Sequence, residues 1–428
     1  MTGTIQSLRD LTGRNPTQLS DEGVGNPLLS LPTEMLDKIT QYVMQGTTQE
    51  SAVANAIRWR QVSVLPYVVT HASHIARVID HVKHLKTLDE ALVILRKYAI
   101  VPRIPSYSSS IRLVTTPEEI RQWMRNPDNV HRLDNFREVR LSNCKLQVIP
   151  PELNNFRKLH RLHLNNNQIT QINAQDLAGC TALQSLYLKG NQITQIGPQA
   201  FAGCTALQDL DLEGNQIAQI YPETFAGCTA LQDLNLDGNQ IAQIDSQILA
   251  NCPALRHLQL SGNQIAQVGP EIFAVCTALQ KLDLTGNQIT QIYPETFAGC
   301  TALWALKLSG NQITQIDPQT FSGYTALRVL QLNNNQIIQI YPKTFADCLS
   351  LQYLQLNNNQ IIQIYPKTFA GCIALKNLEL NNNKITQIDP EAFPGCTALE
   401  ELSLVGNGIT QIDSQISANY PNLQVIYV

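Results

Sequence analysis

From about residue 136 the apolar positions recur in one fixed order, L-x-x-L-x-L-x-x-N-x-I-x-x-I, followed by a segment close to x-P-x-x-F-A-G-C-T-A. The unit is 24 residues long. Leu207, Leu210, Leu212, Asn215, Ile217, Ile220, Phe225 and Cys228 make one copy, and Leu279, Leu282, Leu284, Asn287, Ile289, Ile292, Phe297 and Cys300 make another. The asparagine returns eleven times without a slip, from Asn167 to Asn407. A degenerate copy precedes it (Phe136, Val139, Leu141, Cys144, Leu146), and a half-copy follows (Leu423, Ile426, Val428). The x-L-x-L-x segment alternates, which predicts a short strand with its leucines on one face and its polar residues on the other. One coil cannot bury that leucine face alone. Stacked coils can, as a parallel sheet over a continuous core.

Each repeated slot has its own physical reason. The asparagine follows the strand, where the backbone turns inward and leaves polar groups unpaired; its amide both donates and accepts, so a stack of them can satisfy those groups. Just before it, only Gly (seven times) or Asn (four) occurs, which predicts a left-handed turn. Pro222, Pro294, Pro342 and their equivalents then predict a short convex segment, one helical or 3-10 turn. The phenylalanines from Phe201 to Phe393 fill the space beneath it. Nine of ten cysteines share a single slot, with Tyr324 in place of one, and Cys144 stands where the first ladder asparagine would be. Parallel, in-register side chains hold their Cβ atoms too far apart, and wrongly directed, for a disulfide. Buried thiols are expected instead.

This pattern resembles the leucine-rich repeat over about residues 136–428. The resemblance implies an α/β solenoid, a curved array of twelve repeats plus a terminal strand, with a concave parallel sheet about 60 Å long. Extracellular members usually carry cysteine-rich caps, and none is seen here. The one N-x-[S/T] string, Asn15-Pro16-Thr17, is disqualified by its proline. A reducing, intracellular setting is expected. The last coil leaves a strand edge near Val428, to be covered by Tyr427 and the preceding loop or paired with another copy.

The first 135 residues lack the period and contain no cysteine. Residues 1–26, polar with Gly and Pro, read as a flexible leader, and 27–135 as a small all-helical domain. Ile75, Val78, Ile79, Val82 and Leu85 mark one helix face. Thr87 with Glu90 and Thr116 with Glu119 are capping-box pairs, predicting helices at about 88–98 and 117–125. The string from Leu31 through Val43, with Leu31, Pro32, Glu34, Leu36 and Ile39 at the matching places, resembles the opening helix of an F-box. An F-box before such repeats resembles the substrate receptors of cullin-type ubiquitin ligases, which implies a Skp1-like adaptor as partner. An amphipathic helix entered by a proline would show much the same string. F-box-like segments joined to near-identical repeats also resemble effectors that intracellular bacteria deliver into the host cytoplasm.

Composition narrows the function classes. With 428 residues and a formal net charge of −4, the chain lacks the basic surplus of a nucleic-acid or anionic-membrane binder. No apolar run approaches the ~20 residues that span a bilayer. The first twenty residues lack the apolar stretch of a signal peptide. No P-loop, G-x-S-x-G, H-E-x-x-H or C-x-x-C occurs, so no enzyme and no cofactor is expected; an enzymatic alternative would need a site within 27–135. Asp209-x-Asp211-x-Glu213-Gly214 imitates a calcium loop, but its carboxylates alternate with core leucines and position 220 is isoleucine where the loop needs its closing acid. His71, His74, His81 and His84 flank an apolar helix face without converging, so no metal is expected.

What remains is a protein partner on the concave face. The framework hardly changes from coil to coil, yet the outward strand positions do: Arg140, Arg161, His163, Tyr187, Asp209, Asp211, Asp233, Lys281, Asp283, Trp304, Lys307 and Tyr353. Trp304 and Tyr353 read as exposed anchors. His160 and His163, beside Arg161 and near Arg140, form a positive edge. Asp209, Asp211, Asp233 and Asp237 form an acidic patch, either a binding spot or simply a solvated surface.

Overall fold

Alternation of the kind L-x-L makes each strand only three residues long before the chain must turn. A computed structural model describes residues 133–134 and 136–427 of the chain. The leader, most of the expected helical domain and the F-box-like Leu31, Pro32, Glu34, Leu36 and Ile39 lie outside the described residues, as do the clustered histidines. From Phe136 onward the chain is a solenoid whose thirteen-stranded sheet runs in strict chain order. We number its strands β1 (Glu138–Arg140), β2 (Arg161–His163), β3 (Ser185–Tyr187), β4 (Asp209–Asp211), β5 (Asp233–Asn235), β6 (His257–Gln259), β7 (Lys281–Asp283), β8 (Ala305–Lys307), β9 (Val329–Gln331), β10 (Tyr353–Gln355), β11 (Asn377–Glu379), β12 (Glu401–Ser403) and β13 (Gln424–Ile426). Every neighbouring pair is parallel, and the central leucines fall opposite one another, as Leu210 with Leu234 and Leu282 with Leu306. This is the architecture that the 24-residue period predicts.

The asparagine ladder closes the turn after each strand. Asn287 shows the rule. Its Nδ2 donates to Leu284 O of its own coil (3.0 Å) and to Leu260 O of the coil before (2.9 Å), while its Oδ1 accepts from Ile265 N (3.0 Å). One side chain thus satisfies three backbone groups in two coils, all of them buried. Cys144 takes the first slot without breaking the scheme, because Asn167 Oδ1 accepts from the Cys144 and Leu146 amides. The preceding position is left-handed in all eleven coils, from Asn166 (φ 55°) to Gly406 (φ 75°). There the absence of a Cβ relieves the turn, and Asn is the side chain that tolerates it.

The convex side is less uniform than the prolines suggest. A 3-10 turn forms at Pro222–Phe225. After Pro198, Pro270, Pro342 and Pro366, by contrast, the next residue is left-handed (Gln199, Glu271, Lys343, Lys367). The reason is competition for the amide: each of these residues donates its N–H to the next coil, as Lys343 to Lys367 O and Lys367 to Glu391 O, rather than closing a helical turn. Two short α-helices stand where Ser takes the place of the proline after an aspartate: α1 (Ser246–Ala250), capped by Asp245, and α2 (Ser414–Asn419), capped by Asp413.

Beneath this side the phenylalanines stack, with ring centroids 5.6 Å apart for Phe273 and Phe297 and 5.3 Å for Phe369 and Phe393. Leu249 of α1 replaces the ring between Phe225 and Phe273. All ten cysteines are free and buried. Cys180, Cys300 and Cys396 donate to the carbonyls of Leu153, Phe273 and Phe369 in the preceding coil. Burial pushes the Cys276 and Cys300 thiols up to about 12. In the last coil Tyr420 holds the cysteine slot and its hydroxyl donates to Phe393 O in the same way.

Candidate functional site: the concave face

The register brings two columns of side chains onto the concave face, the first and third residues of every strand. Eleven of the twelve residues expected there occupy it: Arg140, Arg161, His163, Tyr187, Asp209, Asp211, Asp233, Lys281, Asp283, Lys307 and Tyr353. Trp304 does not. It precedes β8, and the outward place in that coil belongs to Ala305, which is buried. Trp304 is half-buried, with Lys281 Nζ of the neighbouring strand 4.6 Å from its ring centroid. Its slot holds a polar residue in the other full coils, as in Gln280 and Arg328, so the half-step was invisible without the register. Tyr353 is 47% exposed, as an anchor needs to be.

The positive edge is corrected by a residue that the sequence reading left out. Glu138 is the outward partner of Arg161 in β1. Its Oε1 accepts from Arg140 Nε at 2.7 Å and lies 3.0 Å from His163 Nε2. Glu138 thus engages Arg140 and His163, while Arg161 stands exposed on the same edge. His257, also missed, faces Asp233 across the β5–β6 register and binds its carboxylate through Nδ1. Both could have been found by counting the strand columns strictly from each leucine.

The acidic patch is where the face is hollowed. Tyr187, Asp209, Asp211, Asp233, Asn235 and Gln259 line a shallow depression of about 300 Å³. His163 stacks on Tyr187 with ring centroids 4.8 Å apart, which fixes one wall. Tyr187 stands beside Asp209, and Asp211 accepts from the Glu213 amide at 3.0 Å. Partial burial raises the Asp209 carboxyl, opposed by the Tyr187 hydroxyl and reinforced by Asp233. Burial raises Asp211 too, with Glu213 adding to it and Lys189 opposing. Beside them Asp237 is pushed up to about 6, first by burial, then by the Asp283 and Glu213 charges, against the Ser261 amide and Lys307. The lysines nearby are already engaged: Lys189 on Glu213 at 2.7 Å and Lys307 on Asp283 at 3.1 Å. The hollow holds more carboxylates than basic groups; among the described residues, His257 on Asp233 is the one basic partner of its lining acids. Its carboxylates sit on strands, and among the described residues no group of three or more His, Cys, Asp or Glu is arranged to hold a metal.

Comparison with known proteins places the array. The leucine-rich-repeat family model matches residues 134–193, 183–241, 253–313, 306–361 and 350–409. The chain belongs to the leucine-rich-repeat proteins. The interval without a match, 242–252, is the one that contains α1. No curated protein matches the chain. Among solved structures, TLR13 in the TLR13–ssRNA13 complex is similar at TM-score 0.63 and 25% identity, over 70% of this chain and 45% of that one. This leucine-rich-repeat chain thus spans less than half of TLR13. An internalin, inlF, from Listeria monocytogenes is similar at TM-score 0.52 and 26% identity, over 72% and 92%. Toll, in the Drosophila Toll–Spatzle complex, shares the fold at TM-score 0.56 and 20% identity, over 66% and 43%. The leucine-rich-repeat solenoid is typically a non-enzymatic binding scaffold. Among the described residues no helix is long and apolar enough to cross a membrane.

Proposed function

We propose that the chain is a non-enzymatic protein-interaction module, an intracellular adaptor or delivered bacterial effector, that receives a protein partner on its concave face. The observation that carries this reading is the contrast within each strand. The inward leucine never changes from β2 to β12, while the two outward columns pass from Arg, His and Tyr through aspartates to Lys, Val and Tyr353. Variation confined to one face of a repeated scaffold is what grafted recognition leaves. The acidic hollow at Tyr187–Gln259 favours a partner that presents a basic side chain there, and Tyr353, farther along, favours an apolar one. Ten free, buried thiols support a reducing compartment.

The test is site-specific photocrosslinking with the full chain in cytosolic extract. A crosslinker at Tyr187 or Tyr353 should trap the same partner, and one at the convex Gln319 should not. Asp209→Asn with Asp233→Asn should weaken capture of that partner about tenfold at low salt, where charge complementarity counts most. A partner trapped only from Gln319 would sink the reading.

A further inference from the structure

Two adjacent coils differ from all the others on their outer flank. In most coils the residue after the first ladder isoleucine is Thr or Ala, as in Thr194, Ala218, Thr290 and Thr386. In the coils that follow β9 and β10 it is isoleucine, and both side chains stand in solvent: Ile338 is 47% exposed and Ile362 52%. Three residues on come Tyr341, 37% exposed, and the half-buried Tyr365. Next on each convex turn stand Lys343 and Lys367, where the other coils carry only Glu or Gln. The coils are held in register, Ile362 N donating to Ile338 O at 3.4 Å and Lys343 N to Lys367 O at 3.1 Å. Their Phe345 and Phe369 rings lie 6.1 Å apart, so the six side chains form a two-wide ridge with one coil's spacing between equivalents.

We propose that this ridge is a second docking surface, separate from the concave face, for a short extended protein segment that carries acidic and aliphatic side chains. Charge complementarity names the acidity. In this slot every other charged residue is a glutamate, and only these two turns reverse the sign. The isoleucines and tyrosines supply what buries apolar side chains, and stray exposed aliphatics elsewhere in the array are not paired with tyrosine and lysine in this way. Size names a segment rather than a folded partner, because six side chains on two coils fall far below the ~800 Å² per partner of a standard interface. An extended strand also places alternate residues about 6.6 Å apart, near the 6.1 Å between the Phe345 and Phe369 rings of these two coils. A flat anionic membrane fits less well. It would meet Glu391, which stands in the next coil in direct backbone contact with Lys367.

The test passes the full chain over an array of immobilised twelve-residue peptides composed of Asp, Glu, Ile, Leu and Val, beside a matched array with Lys in place of the acids. Ridge-dependent retention is expected on the acidic array alone; whatever the concave hollow holds on the lysine array should survive the ridge variants. Retention on the acidic array should fall at least tenfold for Ile338→Thr with Ile362→Thr, and separately for Lys343→Glu with Lys367→Glu. Each variant borrows the residue that other coils carry in that slot, and equal thermal melting shows that the fold is kept. Asp209→Asn with Asp233→Asn on the concave face should leave retention on the acidic array unchanged. Equal retention by the ridge variants on the acidic array, retention on the lysine array that the ridge variants abolish, or binding only to phosphatidylserine-containing vesicles would each overturn the proposal.

Discussion

The two faces of strands β4 to β8 share a backbone and follow opposite rules. Inward, Leu210, Leu234, Leu258, Leu282 and Leu306 repeat one side chain, each at most 2% exposed. Outward, the same strands carry Asp209, Asp233, His257, Lys281 and Ala305 in one column. The asparagine ladder goes with the inward face, since it satisfies groups that water cannot reach. The difference teaches where sequence is constrained by burial. A changed inward residue opens a cavity or leaves a buried polar group unpaired, whereas an outward one exchanges one solvated side chain for another.

The strongest way to break this comparison is to remove one rung of the ladder. Asn287→Ala would leave Leu260 O, Leu284 O and Ile265 N without their partner. We expect a loss of about 3–5 kcal/mol by urea denaturation, since each orphaned buried group costs roughly 1–3 kcal/mol and some relax toward water. Asp283→Ser, four residues earlier on the concave side, should cost no more than about 1 kcal/mol, through loss of its part-exposed ion pair with Lys307. If the two changes cost the same, the ladder is ornamental and the contrast between the faces fails.

The cysteine file sharpens the comparison at a smaller scale. Cys276 is 3% exposed, in a slot filled by thiols on both neighbouring coils. Cys276→Ser should cost about 1–3 kcal/mol, because a hydroxyl is harder than a thiol to bury without a sure partner. With the thiol pushed up to about 12, almost no thiolate exists at pH 8. Maleimide labelling followed by mass measurement should find the folded protein largely unlabelled and the denatured one labelled at all ten sites. Rapid labelling in the native state would mean that the slot faces solvent.

Legibility followed the same division. The ladder, the left-handed turn and the thiol slot were readable because burial repeats the same residue at the same spacing. The convex turns were not: Pro222 and Pro342 look alike, yet one starts a 3-10 turn and the other a left-handed step, and the choice depends on whether the next coil's carbonyl takes the amide. On the concave face the columns were legible, but Trp304 was placed half a step out, and Glu138 and His257 were missed. Polar residues there carry no signal of depth, so only register shows that Glu138 pairs with Arg140 and His163. The segment before residue 133 lies outside this accounting.

The smallest expected effect lies at the edge between the two faces, at Asp237, which follows inward Leu236 and borders the hollow. Its carboxyl is pushed up to about 6 from an ordinary value of 3.8, first by burial and then by Asp283 and Glu213. A raised carboxyl means that the folded chain holds the proton more tightly than the unfolded one. Its stabilising contribution is therefore full below about pH 3.8 and is lost as pH rises through about 6. The slope should fall short of the single-proton limit of about 1.4 kcal/mol per pH unit, because the side chain is only half-buried and water screens its neighbours. Asp209 and Asp211, also raised, add slopes of the same sign, so the informative quantity is the difference between the natural chain and Asp237→Asn. Asparagine suits the slot. Asn381 holds the equivalent place and accepts the Val405 amide at 2.8 Å, as Asp237 accepts that of Ser261 at 2.6 Å. Urea denaturation from pH 4 to pH 7.5 should show the variant gaining on the natural chain as pH rises, with most of the gain between pH 4 and 6.5. A constant difference across that range would mean that Asp237 titrates like a solvated carboxylate and that its neighbours Asp283 and Glu213 do not act on it.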